Sequence, residues 1–228
     1  MLAAFAAHEV FRDVEQRGHE AFLEILLQRR FLSLQFSLVY DIGIDGLTDR
    51  DALRLVREIL REEYPDASGA APSHREDLVC DLLALGATRS QVLASRPTAA
   101  TLSVVSDTLA LMLDAAADDG DLRVLTILRF WGEVLVAVEY DELWRRMDRM
   151  FLTADATSRF YDPHRHHDGR EPLAGASHAS PTHSGRLGAH LAQLLASDGE
   201  VECFVRDEQQ VLALRMRFYD QFVAPPAG

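Results

Sequence analysis

Apolar residues recur along this chain at steps of three and four from one end to the other, and no period-two alternation persists anywhere. That single feature confines the fold to packed helices, because a sheet needs strands that alternate between two faces. The pattern divides into segments with their own start and stop signals. Residues 3–40 carry Phe22, Ile25, Leu26, Leu32 and Phe36 on one stripe, and the glycines of IGIDG at 42–46 predict a loop. Thr48 with Asp51 resembles a capping box and opens a helix to Glu63; Ser73 with Glu76 is a better one and opens a helix to Leu85, stopped by Gly86. A short helix from Ser90, then helices over 99–117, 122–140, 141–161, 183–197 and 207–223 complete the prediction. DDGD at 118–121 reads as a turn and 168–182 as a loop. The expectation is an all-α, single-domain bundle of about seven or eight helices over 1–228, with no repeat and no linker.

Composition excludes several functions. With 23 Lys+Arg against 36 Asp+Glu, the net charge of −13 opposes nucleic-acid and anionic-membrane partners, which require a basic footprint. No run of about 18 uncharged apolar residues exists, so no membrane span is expected. Two cysteines cannot build a disulfide framework; with no signal peptide at the start, they point to a reducing, cytoplasmic setting. Cys80, among Asp77, Asp81 and apolar neighbours, reads as a buried structural thiol rather than a nucleophile.

Ionisable residues on core-facing stripes carry the functional information. On the 48–63 helix the stripe Ala52, Val56, Ile59 steps to Glu63, while Glu62 falls on the other side beside Glu58. One step back from Leu78, Leu82 and Leu85 lies His74. Glu133 is the charged residue inside the apolar run FWGEVLVAV, next to Gly132, which lets something approach closely. Met147, Phe151 and Tyr161 lead to His164, with Asp168 four residues on; Leu187, Leu191 and Leu194 step back to His183. A buried carboxylate is costly unless paired or protonated. Three carboxylates and three imidazoles aimed at one core satisfy one another around a dication, and this donor set suits iron or manganese. Each taken alone is more often a paired or satisfied core residue. His166, His167, His178 and His190 read as loop or surface histidines. HRHHDG at 164–169 contains part of the H-x-H-x-D-H pattern of metallo-β-lactamase-like hydrolases, but Gly169 replaces the last His and no strand precedes it.

The segment Glu62-Glu63, then His74, then LLALG at 82–86 resembles the signature helix pair of the haem-oxygenase-like diiron oxidases and oxygenases. Glu133, about thirty residues before His164 and Asp168, fits that family's next elements. The resemblance covers roughly 48–197. The family's last His follows the Asp by three or four residues; here Glu171 and Pro172 stand there, and His183 follows an insertion, with Glu171, His167 and His178 as alternatives.

The resemblance implies a bundle that binds two Fe(II) ions per chain through Glu63, His74, Glu133, His164, Asp168 and His183. It implies O2 as co-substrate and a small amino-acid-, amine- or fatty-acid-like metabolite as the substrate oxidised. A homodimer is expected from the fold type. Phe22, Phe31, Phe36 and Tyr40 are candidate pocket walls; Arg29 or Arg30 could meet a substrate carboxylate, although a surface role is the commoner one for either. The alternatives are a metal-free bundle of the related thiaminase type and a non-enzymatic helical binding protein.

Overall fold

Helix-capping chemistry sets most of the element boundaries. The computed structural model describes residues 1–118 and 120–223. Two short helices, α1 (Leu2–Ala6) and α2 (Glu9–Arg12), precede α3 (His19–Leu34) and α4 (Phe36–Gly46). Then come α5 (Arg50–Glu62), α6 (His74–Ala84), α7 (Arg89–Ala94) and α8 (Ala99–Ala117). α9 (Asp121–Ile127), a π-helical segment (Leu128–Val134) and α10 (Leu135–Thr153) form one continuous rod. α11 (Tyr161–His167), a 3-10 turn (Leu173–Gly175), α12 (His183–Leu194) and α13 (Asp198–Asp220) follow. Among the described residues there is no strand, as the periodicity predicts. The helices outnumber the seven or eight expected because the first segment breaks into four pieces and short helices cover two connections.

The Ser73–Glu76 capping box forms as read, and Thr88–Gln91 and Ser197–Glu200 form two more. Ser197 therefore starts the last helix at Asp198, well before the expected 207. α5 is capped by Asp49, which accepts from Asp51 N and Ala52 N, rather than by Thr48. The expected loop at 42–46 is helix. Its glycines serve helix packing instead of chain reversal: a Cβ on Gly46 would stand 2.7 Å from Ala116, and one on Gly43 3.1 Å from Leu128. No break separates 140 from 141, since nothing there interrupts the rod; it ends at Thr153, before Asp155 at φ 50°. Of the expected turn at 118–121, Asp119 lies outside the described residues.

α4 packs on α8, α13 on α8 and α9, and α10 along α11, around a core that includes Ile25, Leu26, Val56, Leu128, Leu135 and Leu187. α8 has the length and mean hydropathy of a membrane span. Its Asp107 and Asp114, however, pair with Arg217 of α13 and Arg123 of α9, and Val104, Thr108 and Met112 face the core. Cys80 is exposed rather than buried; its sulfur lies 3.9 Å from the Arg159 guanidinium.

Candidate metal centre

Four helix ends and one distorted helix bring the site together. α5 ends at Glu62, and Glu63 is its C-cap. His74 is the first residue of α6, directly after its capping box. His164 and His167 share one face of α11, and Asp168 is its C-cap. His183 opens α12, whose Thr182 cap accepts from Gly185 N. Glu133 sits in the π-helical segment, which shifts the hydrogen-bond register by one residue; such segments recur at functional sites.

All six expected side chains line one partly open cavity, and Glu62 and His167 line it with them. Three groups of donor atoms converge, each with its atoms within 4.8 Å of one another: Glu63, His74 and His164; Glu133, Asp168 and His183; Glu62, His167 and His183. His74 Nδ1 lies 2.8 Å from Glu63 Oε1, and the His74 and His164 rings are 4.7 Å apart. His183 lies between two carboxylates, with Nδ1 3.3 Å from Glu133 Oε2 and Nε2 3.4 Å from Glu62 Oε2. His167 bridges Asp168 Oδ1 at 3.2 Å and Glu62 Oε2 at 3.0 Å.

Surrounding groups hold these side chains in place. His164 Nδ1 donates to Phe160 O at 2.6 Å, which leaves Nε2 as the free acceptor, the tautomer a ligand needs. The Tyr40 hydroxyl donates to Glu133 Oε1. Gly132 makes room for it, since a Cβ there would stand 3.1 Å from that hydroxyl. Asp81, buried on α6, accepts from the backbone N–H groups of Arg159, Phe160 and Tyr161 and from the Ser158 hydroxyl. That contact ties the helix carrying His74 to the start of the helix carrying His164. Arg129 donates to Ser184 O and Glu171 O, fastening the 168–184 connection to the π-helical segment.

The electrostatics are those of buried charges that compensate one another. Burial pushes His164 down to about 3, with the charge of His74 adding to the effect, so it is a neutral donor. The carboxylates Asp168 and Glu62 pull His167 up to about 9. Burial opposes charging of His183, but Glu133 and Glu62 outweigh it and raise it to about 10. Asp168 is raised by burial and by Glu133. Burial also opposes ionisation of Glu62, yet His167 and His183 bring it below the usual carboxylate range. Even so, Asp168 Oδ2 and His183 Nε2 are buried without a hydrogen-bond partner.

Two expectations are corrected. Glu62 turns into the cavity because helical phase lapses at the end of α5, so adjacent residues 62 and 63 both face it. His167 is a cavity residue, because α11 restarts at Tyr161 and sets its own phase. Pro163 falls in the first turn of α11, where a missing N–H costs little. Of the alternatives to His183, Glu171 instead bonds Thr182, Ser180 and Ser184, and His178 packs edge-to-face against His190. His166 is exposed beside Asp162. Of the aromatic wall candidates, Phe36 lines the cavity, whereas Phe22 packs into the core. Arg29 lines the cavity; Arg30 bonds Val92 O and Ser95 instead. Sequence reasoning missed Glu139 and Arg215, which pair at 2.5 Å in the core. The run EVLVAVEY around Glu139 was the available signal, an acidic residue in an apolar stretch.

No protein-family model matches the chain, and no curated protein matches it. Among solved structures it is similar to a TenA family transcription regulator from Silicibacter sp. TM1040, with a TM-score of 0.63 and 17% identity over 98% of this chain and 92% of that one. At that identity the likeness establishes the fold: all-α and haem-oxygenase-like.

Proposed function

We propose that this chain is a dimetal oxidoreductase, binding two Fe(II) ions and using O2 to oxidise a small metabolite. The observation that carries the reading is the convergence of Glu63, His74 and His164 beside Glu133, Asp168 and His183, with the buried Asp168 Oδ2 left unpartnered. Atoms bound to one ion at about 2.1 Å stand at most about 4.2 Å apart. Each group is thus within a small side-chain shift of ligation. The first is a two-His, one-carboxylate set, typical of non-haem Fe(II); no thiolate lines the cavity to favour a softer ion.

Bound iron would supply the electrons for reducing O2. The protein's own part is positional. His164 presents Nε2 because Phe160 O holds the Nδ1 proton. Tyr40 holds a proton on Glu133 Oε1, leaving Oε2 as the donor nearer His183. Phe36, Trp131 and Val136 give the cavity an apolar wall, which would limit the water beside a reactive oxidant.

A metal-free, thiaminase-type bundle is the second reading, and two observations favour it. A solved structure of similar fold is described as a TenA family transcription regulator. The pairs Glu63–His74 and Glu62–His167 also satisfy each other without an ion. Regulation by binding nucleic acid is disfavoured by the net charge of −13. Anaerobic Fe(II) titration decides between the two. Two irons per chain, followed by a transient visible absorption when O2 is admitted, support the dimetal reading. No metal uptake, with unchanged folding, supports the metal-free bundle.

A further inference from the structure

Next to the metal-type ligands the same cavity carries a buried excess of positive charge. Arg29 and Arg215 both line it, and their side chains are 3% and 1% exposed. They share a single carboxylate: Arg29 Nε lies 2.7 Å and Arg215 Nη1 2.5 Å from the same oxygen of Glu139, Oε2. The other oxygen accepts from the Tyr219 hydroxyl, so a single carboxylate oxygen faces both guanidiniums. Arg215 spends another donor on Trp131 O and Arg29 one on Ser33 Oγ, both neutral acceptors. Arg29 Nε keeps no well-formed hydrogen bond. Two guanidiniums against one carboxylate leave one uncompensated charge, and buried charges are rarely left so. The four carboxylates at the other end of the cavity, Glu62, Glu63, Glu133 and Asp168, each lie against an imidazole of their own cluster, and the two Fe(II) ions of the proposed reading would carry the four positive charges that balance them.

We propose that Arg29 and Arg215 form an anion subsite that takes the carboxylate of a small, partly apolar ligand. This inference deepens the oxidoreductase reading and names the substrate class of that same site. A guanidinium recognises a carboxylate through paired N–H donors. Ser33 can add a hydroxyl, while Leu32, Phe36 and Trp131 offer apolar wall for the rest of the molecule. Arg29 stands 5.1 Å from the Tyr140 ring centre, and that centre is 6.3 Å from the His164 ring. The cation and the imidazole are therefore at most about 11 Å apart, within the reach of one small molecule.

The test uses hexanoate against its neutral isostere hexanamide, titrated by calorimetry into the metal-free chain and into the chain loaded anaerobically with Fe(II). Binding of hexanoate and not of hexanamide is expected, with Arg29→Gln weakening hexanoate about ten- to hundredfold, the range for a lost charged hydrogen bond. Glu139→Gln keeps both guanidiniums and removes the shared counter-charge, so it should bind hexanoate more tightly than the parent chain. This second variant decides the matter if Arg29→Gln does not fold. Equal binding of hexanoate and hexanamide, or hexanoate affinity unmoved by both substitutions, overturns the subsite. The metal-free arm separates the two proposals. Arg29-dependent hexanoate binding by a chain that takes up no iron leaves the subsite standing and removes the oxidoreductase reading. Iron uptake without Arg29-dependent hexanoate binding does the reverse.

Discussion

His183 Nδ1 lies 3.3 Å from Glu133 Oε2, joining the first residue of α12 to the π-helical segment through a contact buried from solvent at both ends. The same ring turns its other nitrogen toward Glu62. One imidazole thus links a buried carboxylate, Glu133, to a half-exposed one, Glu62.

Replacing His183 by Ala should lower bound iron from two per chain to about one, because Glu133 and Asp168 lose their imidazole while Glu63, His74 and His164 remain. Elemental analysis of the anaerobically loaded protein measures this. In the parent chain, free metal at about 100 times its Kd should add about 2.7 kcal/mol of stability, and a chelator should remove it. Two irons per chain in the variant would show that His183 is no ligand.

Asp81 has a structural role with consequences for the site. It accepts three backbone N–H groups and one hydroxyl while 1% exposed. Asp81→Ala should cost about 3 kcal/mol or more, since several buried donors lose their acceptor together. Urea denaturation reads the loss. Iron affinity should fall as well, because α6 and α11 are no longer tied where His74 and His164 meet; unchanged affinity in the folded variant would refute that coupling.

Gly132 and Tyr40 form a pair suited to a double-mutant cycle. Gly132→Ala places a methyl 3.1 Å from the Tyr40 hydroxyl and 3.3 Å from the Phe36 ring. Tyr40 cannot easily retreat, as it stacks on Phe36 and donates to Glu133. The single change should therefore destabilise despite the roughly 1 kcal/mol that Ala gains over Gly in a helix. Tyr40→Phe removes the atom in the way, so the two changes together should cost less than their sum by about 0.5 kcal/mol or more. Additive costs in thermal unfolding would show that the close approach carries no strain.

Glu208 should make stability depend on pH. Burial raises its carboxyl to about 7, against the opposing pull of Arg129 at 3.5 Å. The folded chain then holds a proton that the unfolded chain releases near the ordinary carboxylate value of 4.5. This contribution is complete below about pH 4.5 and is lost as pH rises through about 7. Glu208→Gln, which stays uncharged, should flatten the curve across that window. An identical pH slope in the variant would exclude Glu208 as its source.

Most of the site was legible as a list of residues. Glu63 and His164 continue an apolar stripe, His74 and His183 precede one, Glu133 interrupts an apolar run and Asp168 lies one step beyond His164; all six line the cavity. What periodicity could not supply was the phase at helix ends. It turned Glu62 outward and left His167 on the surface, because it extrapolates a regular helix past the point where α5 stops and across the break between Thr153 and Tyr161. It also read the glycines at 43 and 46 as a stop, when the facing Leu128 and Ala116 make them contact points.

The sequence alone determined the helical class, the capping at Ser73 and which carboxylates and imidazoles lie on core-facing stripes. Those properties depend on neighbours within four residues, where side-chain spacing and local hydrogen bonds decide the outcome. Only the tertiary structure decided that Glu62 meets His167 and His183, that Tyr40 rests against Glu133, and that Arg29 and Arg215 share Glu139. These are meetings of distant segments, and their geometry comes from how whole helices pack, which no local pattern encodes.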